Sequence, residues 1–352
     1  MERKIGLDVA KILAMFMVFV IHNLGQGGVL QSVERTTPSF YLLWYLENIG
    51  IVGVNVFALI SGYISVVKKI NYYRVFYVMV QATFWATLIM IGLCALGQSY
   101  SLKTILSNVL PIISGRYWYI NSYIGMMLLA PFLNHGLQEL SRNSLSKLVM
   151  ILLIMACSIG FIGNFTLLGG YSVIWLVIMY IVGGYFRLYN PMKNYKNFGV
   201  YFFVCPIISL LLEFLSKFLN IQIHIFTDYT SPIVFCQSLL LFELMRRIKV
   251  NMKYSEMIKK VSSLTLGAYL INCSELYNFL GGKLVWVLDY NFIIQFLLVL
   301  ILSIAMYIIA LIMENMRVLL FRVTKTDEAI NQVYSVVVRK FNCLTNILIK
   351  EK

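Results

Sequence analysis

Long apolar stretches alternate with short polar segments along nearly the whole chain. Each stretch holds at least ~18 residues, enough to cross a hydrocarbon core of about 30 Å as an α-helix. We therefore predict an all-α integral membrane protein with about ten transmembrane helices. They cover residues 6–24, 41–66, 72–97, 117–134, 147–163, 171–189, 199–219, 229–248, 262–281 and 291–317.

Basic residues concentrate in every second connecting segment. If the N-terminus is cytoplasmic, the outer segments keep only five of the 29 lysines and arginines: Arg35, Lys103, Arg116, Lys217 and Lys283. Apart from Lys11 in the first span, the others lie on the inner side. Such an excess marks the cytoplasmic face. We expect a multi-pass protein of the plasma membrane with both termini in the cytoplasm.

Composition agrees with a membrane protein, since 60% of the residues are hydrophobic, 12% are charged and the mean hydropathy is +0.80. The formal net charge of +14 follows the loops and not one soluble face. Topology therefore explains the charge better than nucleic-acid binding does, and we predict no nucleic-acid partner. The basic loop 246–260 has two further interpretations, contact with anionic membrane lipid or with the phosphates of a cytoplasmic cofactor.

The chain divides into a membrane domain, residues 1–317, and a cytoplasmic tail, residues 318–352. No long polar linker separates the spans, so the chemistry is expected in the membrane domain. Apolar residues recur at helical spacing in the tail, at Val333, Val336, Val337, Phe341, Leu344 and Leu348. Because basic residues lie between and beside them, the tail predicts an interfacial helix on the inner leaflet.

Three ionisable residues fall in the first span, where a charge costs at least ~2.5–3.5 kcal/mol on insertion scales. They are Asp8, Lys11 and His22. His22 follows Lys11 by eleven positions, which is ~3.06 turns, so both side chains share one helix face. The stripe of Asp8, Lys11, Met15, Val18 and His22 predicts a cation towards the inner end of the helix and a base at its outer end. The alternative is an Asp8–Lys11 ion pair with His22 at the headgroup boundary.

Other spans add polar groups near the depth of His22. They are Glu47 and Asn48, Glu213, and Asn272 with Glu275. Each alone is compatible with a hydrogen bond between helices. Together with His22 they predict a polar outer cavity. The six cysteines show no CxxC and no Cys/His spacing of a metal site, so no metal is expected.

Four stretches of the chain are similar to sequence motifs of a known membrane protein family. They are Arg3, Asp8, Lys11 and His22 in the first span; residues 53–63, which end in Ser-Gly-Tyr; residues 117–134, which open on aromatic residues and close on Pro-Phe-Leu-Asn; and residues 264–272, with Gly-Ala-Tyr-Leu-Ile-Asn. In combination the chain resembles the acyltransferase type 3 membrane family, which acetylates envelope glycans. Asn272 stands where the family commonly shows histidine, and the family's basic pair at the third span is represented by Arg74.

The resemblance implies a membrane O-acetyltransferase that uses acetyl-coenzyme A and a carbohydrate acceptor, alongside other proteins of polysaccharide assembly. His22 is the expected general base, because an imidazole with an ordinary pKa of ~6.5 takes protons near neutral pH. Glu47 or Glu275 would orient it. Cations at the inner mouth would bind the donor's phosphates: Lys11, Lys68, Lys69 and Arg74. An outer group would bind the sugar: Arg116, Tyr117, Trp118 and Tyr119.

Two other classes share some of these features. A transporter or flippase for lipid-linked glycans also has many spans, charges within the membrane and an aromatic outer rim. It would consume no thioester, so acetyl-coenzyme A consumption separates it from an enzyme. A membrane sensor or scaffold would tolerate leucine in the polar stripe of the first span.

Overall fold

The computed structural model describes residues 4–159, 167–218 and 228–350. Within these ranges the chain is helical and no β-strand is present. The α-helices are α1 (Ile5–Gly25), α2 (Val29–Ser32), α3 (Pro38–Gly50), α4 (Gly53–Ser65), α5 (Tyr72–Ala95), α6 (Leu102–Val109), α7 (Trp118–Glu139), α8 (Arg142–Ile154), α9 (Val173–Tyr189), α10 (Phe198–Phe218), α11 (Pro232–Arg247), α12 (Ser255–Asn272), α13 (Glu275–Phe279), α14 (Phe292–Val323) and α15 (Thr326–Lys350).

The prediction of an all-α membrane protein is confirmed. Five helical units of the described chain are long and apolar enough to cross a membrane. They are Ile5–Ser32, Pro38–Ser65, Tyr72–Ala95, Phe198–Leu215 and Phe292–Val323, with Val173–Tyr189 as a shorter apolar helix. Helices also occupy the other predicted segments, although residues 160–163 and 219 lie outside the described ranges.

The largest differences from the predicted boundaries are in three segments. The segment 41–66 consists of two helices, α3 and α4. The segment 262–281 is displaced, because α12 begins at Ser255 and ends at Asn272. Ser274 then caps the short helix α13 by accepting a hydrogen bond from the Leu276 amide, at 3.2 Å. The last predicted segment is longer than expected, since α14 continues past residue 317 to Val323.

Helix α1 lies at the centre of the bundle and contacts α3, α4, α11, α12 and α14. Its sequence is apolar around most of its circumference, which is typical of a buried helix. Ala10, Ala14 and Leu24 are fully buried. Polar residues of α1 therefore meet other helices, and each has to be satisfied by a side chain of a neighbour.

Glycines set how closely α1 meets the broken helix pair α3 and α4. A Cβ on Gly50 would lie 2.5 Å from Cγ2 of Ile21, and one on Gly53 would lie 2.7 Å from the Ala14 carbonyl oxygen. Both distances are shorter than a normal contact. Small residues permit such close approach between helices, so these two glycines bring the end of α3, with Glu47, close to the outer half of α1.

The tail forms α15, as its helical spacing predicts. Val333, Val336 and Val337 are exposed on it. The side chains of Phe341, Leu344 and Leu348 lie outside the described residues. At the start of α15, Asp327 accepts a hydrogen bond of 2.9 Å from the Tyr77 hydroxyl, which ties the tail to α5.

Candidate active site

The predicted polar stripe of α1 lies against α12. Asp8 accepts a hydrogen bond of 2.9 Å from the Ser262 hydroxyl and forms an ion pair of 3.7 Å with Lys11. One end of the stripe thus contains the ion pair that the alternative interpretation predicts. At the other end, His22 Nδ1 is hydrogen-bonded to Oδ1 of Asn272. Because Asp8 pairs with Ser262 and His22 with Asn272, α1 and α12 run side by side in the same direction.

The hydrogen bond to Asn272 fixes the protonation pattern of His22. An amide oxygen only accepts, so Nδ1 donates and Nε2 keeps its lone pair in the neutral ring. The Cys273 sulfur lies 3.9 Å from Nδ1, and the Tyr277 ring meets the imidazole edge-on at a centroid distance of 4.9 Å. The orientation of the His22 imidazole is therefore fixed, and its Nε2 can accept a proton.

A cavity of about 260 Å³ opens beside the Lys11 end of the stripe. It lies between α1, α4, α5, α7 and α12, and we call it the inner cavity. Its lining includes both charged and hydroxyl groups: Lys11, Ser61, Ser65, Arg74, Tyr119, Tyr123, Ser262, Thr265 and Tyr269. The structure thus brings Lys11 and Arg74 to the same cavity as Ser262, although they precede it by 251 and 188 positions in the sequence.

Helix α12 connects the inner cavity to His22. Ser262, Thr265 and Tyr269 line the cavity at helical spacing, and Asn272 and Cys273 meet the imidazole one turn further along. From Lys11 to His22 the stripe of α1 rises about 16 Å. Helix α12 therefore presents polar side chains from the cavity to the candidate base, beside the face of α1 that carries Lys11 and His22 at its two ends.

Lys68 and Lys69 do not line the inner cavity as the structure describes it. Both are exposed after the end of α4. They lie a few residues before Arg74, which is also exposed. Of the four cations predicted for the donor, two line the cavity and two belong to the adjacent surface loop.

Glu275 is engaged away from His22. Its Oε1 accepts from Arg116 Nη1 at 2.7 Å and from Asn108 at 3.0 Å, and its Oε2 accepts from Asn278 at 3.0 Å. Within the described ranges, no hydrogen bond joins His22 to Glu275 or to Glu47. The predicted carboxylate partner is replaced by the amide of Asn272. Arg116, predicted to bind the sugar, forms a largely buried ion pair with Glu275.

The three aromatic residues that open α7 lie in different surroundings. Tyr117 is buried and donates to the Leu270 carbonyl at 3.1 Å, a structural contact with α12. Trp118 packs on Tyr171 at a centroid distance of 4.5 Å. Tyr119 lines the inner cavity and meets the ring of Tyr269 at 5.7 Å. Of the three, Trp118 is the one whose ring contacts Tyr171 among the described residues.

Sequence reasoning named Asn272 and Glu275 but missed the other site residues of α12 and α13. Ser262, Thr265, Tyr269 and Cys273 recur at intervals of three or four residues, the same helical spacing that identified the stripe of α1. Tyr277 gave no such signal, because its contact with His22 depends on the turn between α12 and α13. No group of metal-ligating side chains occurs within the described part of the chain.

Comparison with known proteins identifies a matching family model. The acyltransferase type 3 family model, an acyltransferase domain, matches residues 4–314. No curated protein and no solved structure matches the chain. The matched range includes the whole stripe of α1, the inner cavity and His22 with its partners.

Proposed function

Because this chain belongs to the acyltransferase type 3 family, we propose that it moves acetyl from cytoplasmic acetyl-coenzyme A to a hydroxyl of a cell-surface or exported polysaccharide. As a family member it is a membrane acyltransferase; the acetyl donor and the polysaccharide acceptor are the proposal. The same proposal places it in the plasma membrane, with about ten crossings and both termini in the cytoplasm.

The observation that carries the proposal is the polar path from the inner cavity to His22. The cavity offers cations and hydroxyls, which suit phosphate and amide groups. At about 260 Å³ it is smaller than the ~300 Å³ at which pockets for drug-sized ligands begin. We assign it to the pantetheine arm, with the nucleotide at the exposed mouth beside Lys68 and Lys69.

His22 would act as the general base for the transfer. Its Nε2 takes the proton of the sugar hydroxyl as that oxygen attacks the thioester carbon. The carbon–sulfur bond breaks, the acetyl group remains on the sugar as an ester, and the imidazolium returns the proton to the leaving thiolate of coenzyme A. Asn272 holds Nδ1 throughout, so the same nitrogen accepts and returns the proton.

Acetate on the envelope polysaccharide tests the proposed function. Cells that produce the protein should carry hydroxylamine-sensitive acetate on that polysaccharide, and cells without it should not. Purified protein should also release coenzyme A from acetyl-coenzyme A when the polysaccharide is added. A glycan transporter would leave the thioester intact, so an unchanged thioester together with unchanged acetate would reject the enzyme in favour of a transporter.

Lys11→Ala and Arg74→Ala should each raise the apparent KM for acetyl-coenzyme A about tenfold or more, because a hydrogen bond to a charged group contributes ~1.5–3 kcal/mol. Initial rates of coenzyme A release at a fixed amount of polysaccharide measure this. Lys103→Ala is the matched control, since Lys103 is exposed on α6. An unchanged KM in both cavity variants would show that these two cations do not bind the donor.

A further inference from the structure

Three polar atoms on one face of α3 have no hydrogen-bond partner among the described residues: Trp44 Nε1, Glu47 Oε2 and Asn48 Oδ1. Each of these atoms is buried. Positions 44, 47 and 48 lie within about one turn of each other, so the side chains are neighbours. The Asn48 amide nitrogen donates to the Trp44 carbonyl at 2.9 Å, which fixes the side chain while its oxygen stays unpaired.

Such atoms need a ligand or water. A buried polar group without a partner costs about 1–3 kcal/mol, and three on one turn are unusual where most buried groups are paired. The set consists of one donor, the indole N–H, and two acceptors, a carboxylate and an amide oxygen. A pair of hydroxyl groups on a saccharide ring both donates and accepts hydrogen bonds, so it satisfies this set.

A group of aromatic rings lies within electrostatic range of Glu47 on this face. Trp118, Tyr171 and Tyr229 pack together at centroid distances of 4.5, 5.0 and 5.7 Å. The Glu47 carboxylate is close enough to Tyr171, Tyr229 and Tyr277 to interact electrostatically with each. Tyr171 is exposed, so its ring is available to cover an apolar face of a sugar.

One of these tyrosines, Tyr277, connects Glu47 with the candidate base. Tyr277 interacts with Glu47 and also meets the imidazole of His22. Gly50, one turn after Glu47, brings α3 against Ile21 of α1, the residue before His22. A hydroxyl group bound beside Glu47 would therefore lie on the His22 side of the bundle.

We propose that Trp44, Glu47 and Asn48 form the subsite that binds the hydroxyl groups of the acceptor saccharide, with the ring of Tyr171 beside it. This proposal rests on the proposed function. It assigns Glu47 to acceptor binding and leaves the orientation of His22 to Asn272.

The test compares Trp44→Phe and Glu47→Gln with two controls, Trp286→Phe and Glu34→Gln. Both control side chains are exposed. Trp44→Phe keeps an aromatic ring and removes only the N–H donor. Hydroxylamine-sensitive acetate on the envelope polysaccharide is measured at equal protein level, and coenzyme A affinity is measured on purified protein. We expect each subsite variant to lose at least tenfold of the acetate, with coenzyme A affinity within twofold of the wild type.

Each other outcome has a separate meaning. Acetate unchanged in both variants would mean that water alone binds to the unpaired atoms, and would overturn the proposed subsite. Loss in Glu47→Gln with full acetate in Trp44→Phe would overturn it in favour of a role of Glu47 at His22. Loss of coenzyme A affinity would show a disturbed donor site or fold and would also reject it. Acetate absent in the wild type would contradict the proposed function itself.

Discussion

Replacing His22 with alanine should reduce polysaccharide acetylation at least about 100-fold while the amount of protein in the membrane is unchanged. General base catalysis contributes typically 10²–10⁴-fold, and alanine removes the only nitrogen that this mechanism uses. The interior loses little, because the contacts of the imidazole are the hydrogen bond to Asn272, the Cys273 sulfur and the edge of Tyr277 among the described residues. The measurement is hydroxylamine-sensitive acetate per mass of envelope polysaccharide.

His135→Ala is the matched control, because His135 is exposed near the end of α7. It should keep full acetylation. If His22→Ala also kept it at equal protein level, His22 would not be the base. The coenzyme A affinity of His22→Ala should remain, because the donor's cations lie about 16 Å away along α1. Joint loss of affinity and acetylation would indicate that His22 has a structural role.

The stripe of α1 was predictable, whereas its partners were not. Helical periodicity alone places Lys11 and His22 on one face, and the ion pair of Asp8 with Lys11 is present in the structure. The partner of His22 is 250 positions away. By its depth in the membrane, Glu275 was as good a candidate as Asn272 for contact with His22. However, α12 ends at Asn272, and Glu275 lies beyond a turn. There it is bound by Arg116, so an amide and not a carboxylate orients the imidazole.

Two buried ionic groups were also difficult to predict from the sequence. Glu243 is fully buried and binds both Arg246 and Arg247. Glu314 is fully buried beside Arg317. These arginines stand at the inner ends of predicted spans, where the topological bias explains basic residues without any partner. The spacing of three between Glu314 and Arg317 was an available signal, but only the packing of α5 against α14 shows that the pair is enclosed.

Arg317→Leu should destabilise the protein by about 3–5 kcal/mol, because removing one member of a buried ion pair leaves the other charge uncompensated. Arg317 donates to Glu314 at 2.6 Å and to the Tyr77 hydroxyl at 3.0 Å. Gln81 and Trp85 also donate to the Glu314 carboxylate, at 2.9 and 2.7 Å. Thermal unfolding of the detergent-solubilised protein and its level in the membrane measure the loss.

Adding Glu314→Gln to Arg317→Leu should restore much of this stability, because a neutral amide needs no cation and still accepts a hydrogen bond from Gln81 or Trp85. Arg322→Leu is the matched control, since Arg322 is exposed on the same helix, and it should change the unfolding temperature little. A double variant as unstable as Arg317→Leu alone would contradict the electrostatic explanation. The loss would then come from the packing of the arginine side chain between Tyr77 and Phe321, whose rings lie 5.6 and 4.7 Å from its guanidinium.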